Sequence, residues 1–169
     1  MELLPEIAER VSVRSFTDRV PPEDVVRRIL EAGRLAPSAK NRQAWRFVVI
    51  RKEDVRRKIE EAAFHQEYVG QAPVIIAGCT TNVEYRMPNG QLSYPIDISI
   101  AMTQMMLQAV HEGLGTCFVS SYDEERVKYV LSVPYSMRVV LLLLLGYPAE
   151  EPLRPERYPL ERIVGFDHW

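Results

Sequence analysis

The sequence predicts an α/β or α+β sandwich, a small set of buried strands covered by helices. Thr116–Val119 and Val139–Gly146 are nearly unbroken apolar runs, the pattern of strands buried on both faces. Val25, Val26, Ile29, Leu30, Gly33 and Leu35 recur at helical spacing, and Asp97–Leu114 carries so little polar surface that it reads as a core helix. Helices therefore alternate with strands along the chain. That order would also suit a small Rossmann-like domain. However, no Gly-x-Gly-x-x-Gly follows any predicted strand, so the dinucleotide fingerprint is absent.

Taken in order, the elements begin with Leu3, Leu4, Ile7, Ala8 and Val11, spaced as a short first helix. Pro21-Pro22-Glu23-Asp24 opens a second, with Pro and acidic residues where a helix N-terminus favours them. Phe47–Arg51 reads as a strand, Glu53–Ala63 as a charged surface helix and Pro73–Cys79 as a second strand. Pro88-Asn89-Gly90 sets a turn inside an exposed loop, Tyr85–Ser93. Asp97 is placed to cap the core helix, with Gly113 and Gly115 at its C-terminal end. Thr116–Val119, Asp123–Leu131 and Val139–Gly146 follow as strand, helix and strand. Pro152–Trp169 holds three prolines and reads as an extended arm that docks elsewhere.

One domain is the economical reading of 169 residues, with no repeat, low-complexity tract or linker to divide them. A hydrophobic share of 47% and a charged share of 26% suit an ordinary globular protein. A formal net charge of −2 gives no electrostatic case for nucleic-acid or membrane-surface binding. Cys79 and Cys117 lie far apart in apolar surroundings, outside any Cys-x-x-Cys or Cys/His cluster, so they read as small buried core residues and not as a metal site. Met1–Arg10 has no long apolar region, and the longest aliphatic run, Val139–Leu145, falls far below the roughly 18 residues needed to span a bilayer. The expectation is a soluble cytoplasmic protein.

Two stretches could carry chemistry. Arg10-Val11-Ser12-Val13-Arg14-Ser15-Phe16 gathers arginines and hydroxyls just before the second helix, and arginine's planar fork suits phosphate. On its own it equally describes a solvated helix end. Ala36-Pro37-Ser38-Ala39-Lys40-Asn41-Arg42-Gln43-Ala44-Trp45-Arg46-Phe47 stops a helix at Pro37, offers alternating donors and acceptors, and enters a strand. A plain helix-to-strand turn accounts for those residues as well as a binding loop does.

Together the two stretches resemble the opening motifs of the nitroreductase family of FMN-dependent oxidoreductases, Arg-Arg-Ser-x-Arg-x-Phe and Ala-Pro-Ser-x-x-Asn-x-Gln-Pro-Trp-x-Phe. The resemblance runs from about Arg10 to Trp169. Val11 departs from it, where the family often has a second basic residue, and so does Ala44, where it has Pro. The resemblance implies a mixed central sheet flanked by helices in an α/β/α sandwich. It also implies a homodimer built around the Asp97–Leu114 helix, with the C-terminal arm exchanged and FMN at the subunit interface.

Residue by residue, the resemblance puts Arg10, Ser12 and Arg14 on the FMN phosphate and the ring's polar edge. It puts Pro37, Ser38, Ala39, Asn41 and Gln43 on a loop reaching the flavin bound mainly to the other subunit. Ser120 and Ser121 stand where relatives have Gly-Gly or Glu-Gly, with backbone amides facing the ring. Arg157, before Pro159-Leu160-Glu161, matches a basic residue that closes on the phosphate, with Arg154 as a second candidate. His65 falls where relatives often place Asn towards the flavin, or is a plain surface residue. His111 reads as a structural cation at a helix end, His168 as a tail residue, and Met102, Met105 and Met106 as packing.

No nucleophile or acid–base pair is needed under this reading, since a flavin carries the chemistry itself. The resemblance implies an enzyme that oxidises NADH or NADPH and reduces an acceptor such as a nitroaromatic or quinone. A non-catalytic flavin carrier, and a flavin-fragmenting or dehalogenating relative on the same fold, are the alternatives.

Overall fold

The computed structural model describes residues 3–168. Six helices, α1 (Pro5–Glu9), α2 (Glu23–Arg34), α3 (Glu53–Ala62), α4 (Glu67–Gln71), α5 (Ser93–His111) and α6 (Glu124–Leu131), surround four strands. These are β1 (Trp45–Ile50), β2 (Val74–Thr80), β3 (Gly115–Val119) and β4 (Arg138–Gly146). The sheet runs β1-β2-β4-β3, and every neighbouring pair is antiparallel. The parallel component is a single bridge, Ser12 to Thr116, which lays the N-terminal segment along the outer side of β3.

The apolar runs of β2 and β4 follow from burial on both faces. Side chains alternate across a strand, so Ile75, Ala77, Leu142 and Leu144 pack on one face with Ile59, Ala62, Val69 and Val127 of α3, α4 and α6. Ile76, Leu143 and Leu145 pack on the other with Ile29 of α2 and Ile98, Met102 and Met105 of α5. The result is three layers, helices on both sides of one sheet. Each of these large side chains contributes about 1.5–3 kcal/mol on leaving water. Met102 and Met105 are thus core packing, as their spacing indicated, and Cys79 and Cys117 are buried free thiols. Burial pushes the Cys79 thiol up to about 11, so it stays protonated and inert at neutral pH.

Several boundaries differ from the sequence reading: β1 runs Trp45–Ile50 and not Phe47–Arg51, and β2 Val74–Thr80 and not Pro73–Cys79. The core helix begins a turn earlier, at Ser93, because Pro95 lies in its first turn, where proline costs no helical hydrogen bond. Asp97 therefore does not cap it. It sits inside the helix, buried, with its side chain turned to the 38–43 loop. The first helix is shorter than its apolar spacing suggested, since Val11 to Val13 leave it to lie beside β3. Helix α4 has too few residues for a period to show. Elsewhere the expected signals act as read. Gly113 takes φ +76 where α5 ends, Asp123 caps α6 by accepting the Arg126 N–H, and Gly90 takes φ +86 in the tip of the 85–93 loop.

Candidate active site

The N-terminal segment and β3 bring the first group of site residues together. The backbone N–H of Val13 donates to the Thr116 carbonyl at 2.8 Å, which fixes Ser12 and Arg14 against the strand. Burial raises the Cys117 thiol, while the Arg14 and Arg10 guanidiniums and the Ser12 hydroxyl pull it down; the Ser12–Thr116 bridge lays this segment along the outer side of β3. Among the described residues neither guanidinium meets a carboxylate or a hydrogen-bond acceptor. Arg14 lies 6.0 Å from the centre of the Tyr68 ring. The Thr116 hydroxyl, on the residue that Ser12 pairs with, is buried and has no partner. The unpaired arginines of this segment leave their donors free for something polar and negative.

The turn after α3 closes onto the far end of this group. Phe64 and His65 take left-handed conformations, φ 57 and 56, which swing His65 out to solvent. The Gln66 amide nitrogen donates to the Ser121 carbonyl at 2.9 Å and to the Ala63 carbonyl at 2.7 Å, and its oxygen accepts from the Tyr68 hydroxyl. Gln66 thereby locks the His65 turn to the exposed pair Ser120 and Ser121, which follow β3 directly. Sequence reasoning missed Gln66 and Tyr68, because neither stands in a motif and their roles exist only across the fold.

The second group is the loop between α2 and β1. Ser38 enters it extended and accepts the Gln43 backbone N–H at 2.9 Å, while Ala39–Asn41 form one 3₁₀ turn. The Gln43 amide donates to Asn41 Oδ1 at 3.1 Å. Lys40, Asn41 and Gln43 have φ 53, 52 and 49. For a residue such as Lys40 or Gln43 that conformation costs on the order of 1–3 kcal/mol, and such strain gathers at binding sites. Asp97 anchors the loop from beneath, its Oδ1 accepting the Ala39 N–H at 2.9 Å. An acid inside an apolar helix was the sequence signal for this strut.

The two groups leave the same end of the sheet but at opposite edges. β1 and β3 are the outer strands, with β2 and β4 between them, so they stand three spacings apart, about 14 Å. Among the described residues no hydrogen bond or ion pair joins the 37–43 loop to Arg10, Ser12 or Arg14. Of the two tail arginines, Arg154 Nη1 donates to the Ala8 carbonyl at 3.1 Å, next to Arg10, whereas Arg157 is exposed and touches none of the groups. His111 is bound to Glu6, 2.7 Å away, tying α1 to the end of α5 as a structural contact.

The family model described as the nitroreductase family matches residues 7–68 and 64–147. The chain belongs to that family. A Thermus thermophilus protein named NADH dehydrogenase is 32% identical over 92% of this chain and 91% of its own length. A Bacillus subtilis protein named FMN reductase [NAD(P)H] is 25% identical over 96% of this chain and 72% of its own. Among solved structures, a nitroreductase family protein from Clostridium difficile superposes with a TM-score of 0.88 at 30% identity, covering all of both chains. The three-layer arrangement is thus the nitroreductase fold, and among the described residues no helix is long and apolar enough to cross a membrane.

Proposed function

We propose that this chain is an FMN-dependent oxidoreductase, oxidising NADH or NADPH and reducing an acceptor such as a nitroaromatic or quinone. It would work in the cytoplasm as a homodimer, with residues 1–169 forming one FMN-binding domain. The observation that carries the reading is the placing of Arg10, Ser12 and Arg14 along β3 with both guanidiniums unpaired among the described residues. Their donor set fits a phosphate monoester: two planar cations for its charge and hydroxyls for the remaining oxygens. The relatives named for NADH and for FMN reduction support the same assignment.

FMN, when bound, supplies the centre that takes up and returns a hydride. The chain's own residues bind and orient. Arg10 and Arg14 hold the phosphate, with Arg154 at the end of α1 and Arg157 on the arm as further cations. The backbone amides of Ser120 and Ser121 donate towards the ring, and His65 stands at the same rim, held by Gln66. Pro37, Ser38, Ala39, Asn41 and Gln43 complete the pocket of the other subunit, since they leave the opposite edge of the sheet. With no side-chain acid or base required, dinucleotide and acceptor use one open face in turn, which is a ping-pong sequence.

The homodimer reading rests on exposed apolar surface. Leu4, Ile7 and Leu35 flank a groove of about 580 Å³ that also takes in Leu107 of α5. The arm leaves Leu153 and Phe166 92% and 84% exposed. Both are surfaces a second copy would cover. The test is anaerobic mixing of the purified, FMN-loaded protein with NADH or NADPH. Bleaching of the flavin band followed by return of colour on adding a quinone is the expected result. Flavin that stays bound and oxidised would make the protein a carrier, and a protein that ignores FMN would end the reading.

A further inference from the structure

We propose that Lys40 and Arg42, standing over Tyr85, are the docking point for the phosphate groups of the nicotinamide co-substrate, an inference that rests on the function proposed above. The Lys40 ammonium lies 5.3 Å and the Arg42 guanidinium 4.1 Å from the centre of the Tyr85 ring. One aromatic face thus gathers two cations from the 38–43 loop. Both are exposed, and among the described residues neither forms an ion pair. Arg86, next along, gives one N–H to the Gly90 carbonyl at 3.0 Å and is also exposed. Glu84 is the adjacent carboxylate, and it pairs with none of the three.

Most basic side chains on the helices of this molecule are spent on carboxylates. Arg28 holds Glu112, Arg34 holds Glu31 and Arg57 holds Glu53. Lys40 and Arg42, by contrast, stand unspent on the loop that faces the proposed pocket. A guanidinium resting on an aromatic face keeps its N–H edge free for a bidentate phosphate, and the stacking orders it beforehand. The positive φ of Lys40 presents its side chain at the turn's crest. Of the two substrates, a nitroaromatic or quinone need carry no charge, whereas the reduced dinucleotide always carries its bridging diphosphate and, as NADPH, a further ribose phosphate. The patch therefore matches the electron donor.

The test uses the FMN-loaded protein and the paired substitution Lys40→Ala and Arg42→Ala, read by anaerobic flavin reduction across a series of NADPH and NADH concentrations. The half-saturating concentration of NADPH should rise about tenfold or more, with flavin content and the limiting reduction rate unchanged. An equal rise for NADH assigns the diphosphate, and a smaller one assigns the ribose phosphate. The charge-conserving pair Lys40→Arg and Arg42→Lys should keep most of the affinity, and the alanine pair should flatten the salt dependence of saturation. Unchanged saturation by both dinucleotides overturns the inference while leaving the oxidoreductase reading intact. Loss of flavin or of the limiting rate in the alanine pair also overturns it, by making the loop's shape and not its charge the cause. A parent protein that takes up no FMN overturns both readings.

Discussion

Arg28, Arg34, Arg51, Arg57 and Arg138 each meet a carboxylate, whereas among the described residues Arg10 and Arg14 meet none and flank Ser12 beside β3. Among the described residues neither side chain ties the fold together by an ion pair or a hydrogen bond. Replacing Arg10 or Arg14 by Ala should therefore leave folding intact and weaken FMN. Each charge-assisted phosphate contact is worth roughly 1.5–3 kcal/mol, about ten- to a hundredfold in affinity. Fluorescence titration of flavin into the stripped variants, with thermal melting as the control, checks this. These arginines were legible in the sequence because the short motif that carries them sets their spacing. Gln66 and Tyr68 were not, because their partners Ser121 and Arg14 lie 55 and 54 positions away and are brought in only by the fold.

Between elements, the contact that matters most to the site is the one from α5 to the 38–43 loop. Replacing Asp97 by Ala leaves the Ala39 N–H without its acceptor, at a cost of about 1–3 kcal/mol. The loop that holds Ser38 and Asn41 would loosen with it. Chemical denaturation should show that loss, and flavin uptake should fall further than global stability alone explains. Helix α2 is tied to α5 by Arg28, which donates twice to Glu112 at 2.7 and 2.8 Å. The Arg28 hydrogen bond holds the Glu112 carboxyl at about 2, below its ordinary 4.5, and its side chain is only 14% exposed. A depressed carboxyl stabilises the fold fully above its unfolded value and loses that contribution as the pH falls from 4.5 towards about 2. Denaturant midpoints of Glu112→Gln should be lower than the parent's at neutral pH and should fall less steeply across that acid window. The strands were legible because two-sided burial writes itself as an apolar run. The start of α5 was not, because Asp97 resembles a cap in sequence and its true partner, Ala39, lies 58 residues earlier.

At the scale of the molecule, the residues proposed to hold flavin sit at one edge of a four-stranded sheet and the 37–43 loop at the other. Under the proposed function one chain would offer two half-sites and no whole one, while the apolar groove beside α1, α2 and α5 and the exposed arm offer surface to a second copy. In the proposed twofold dimer each edge would meet the opposite edge of its partner. Only the resemblance to the nitroreductase motifs raised this arrangement, since no periodicity reports which surface a second chain covers. The arm's destination was invisible for the same reason. A mixed dimer tests the sharing directly, with Ser38→Ala and Asn41→Ala in one subunit and Arg10→Ala in the other. The quantity measured is bound FMN per dimer, compared with the two parent homodimers, in which every pocket is damaged. If the site is shared, one pocket collects both lesions and the other is intact, so about half the wild-type flavin capacity should return. If each pocket is built within a single chain, both stay damaged, and no recovery in the mixed dimer would contradict the account.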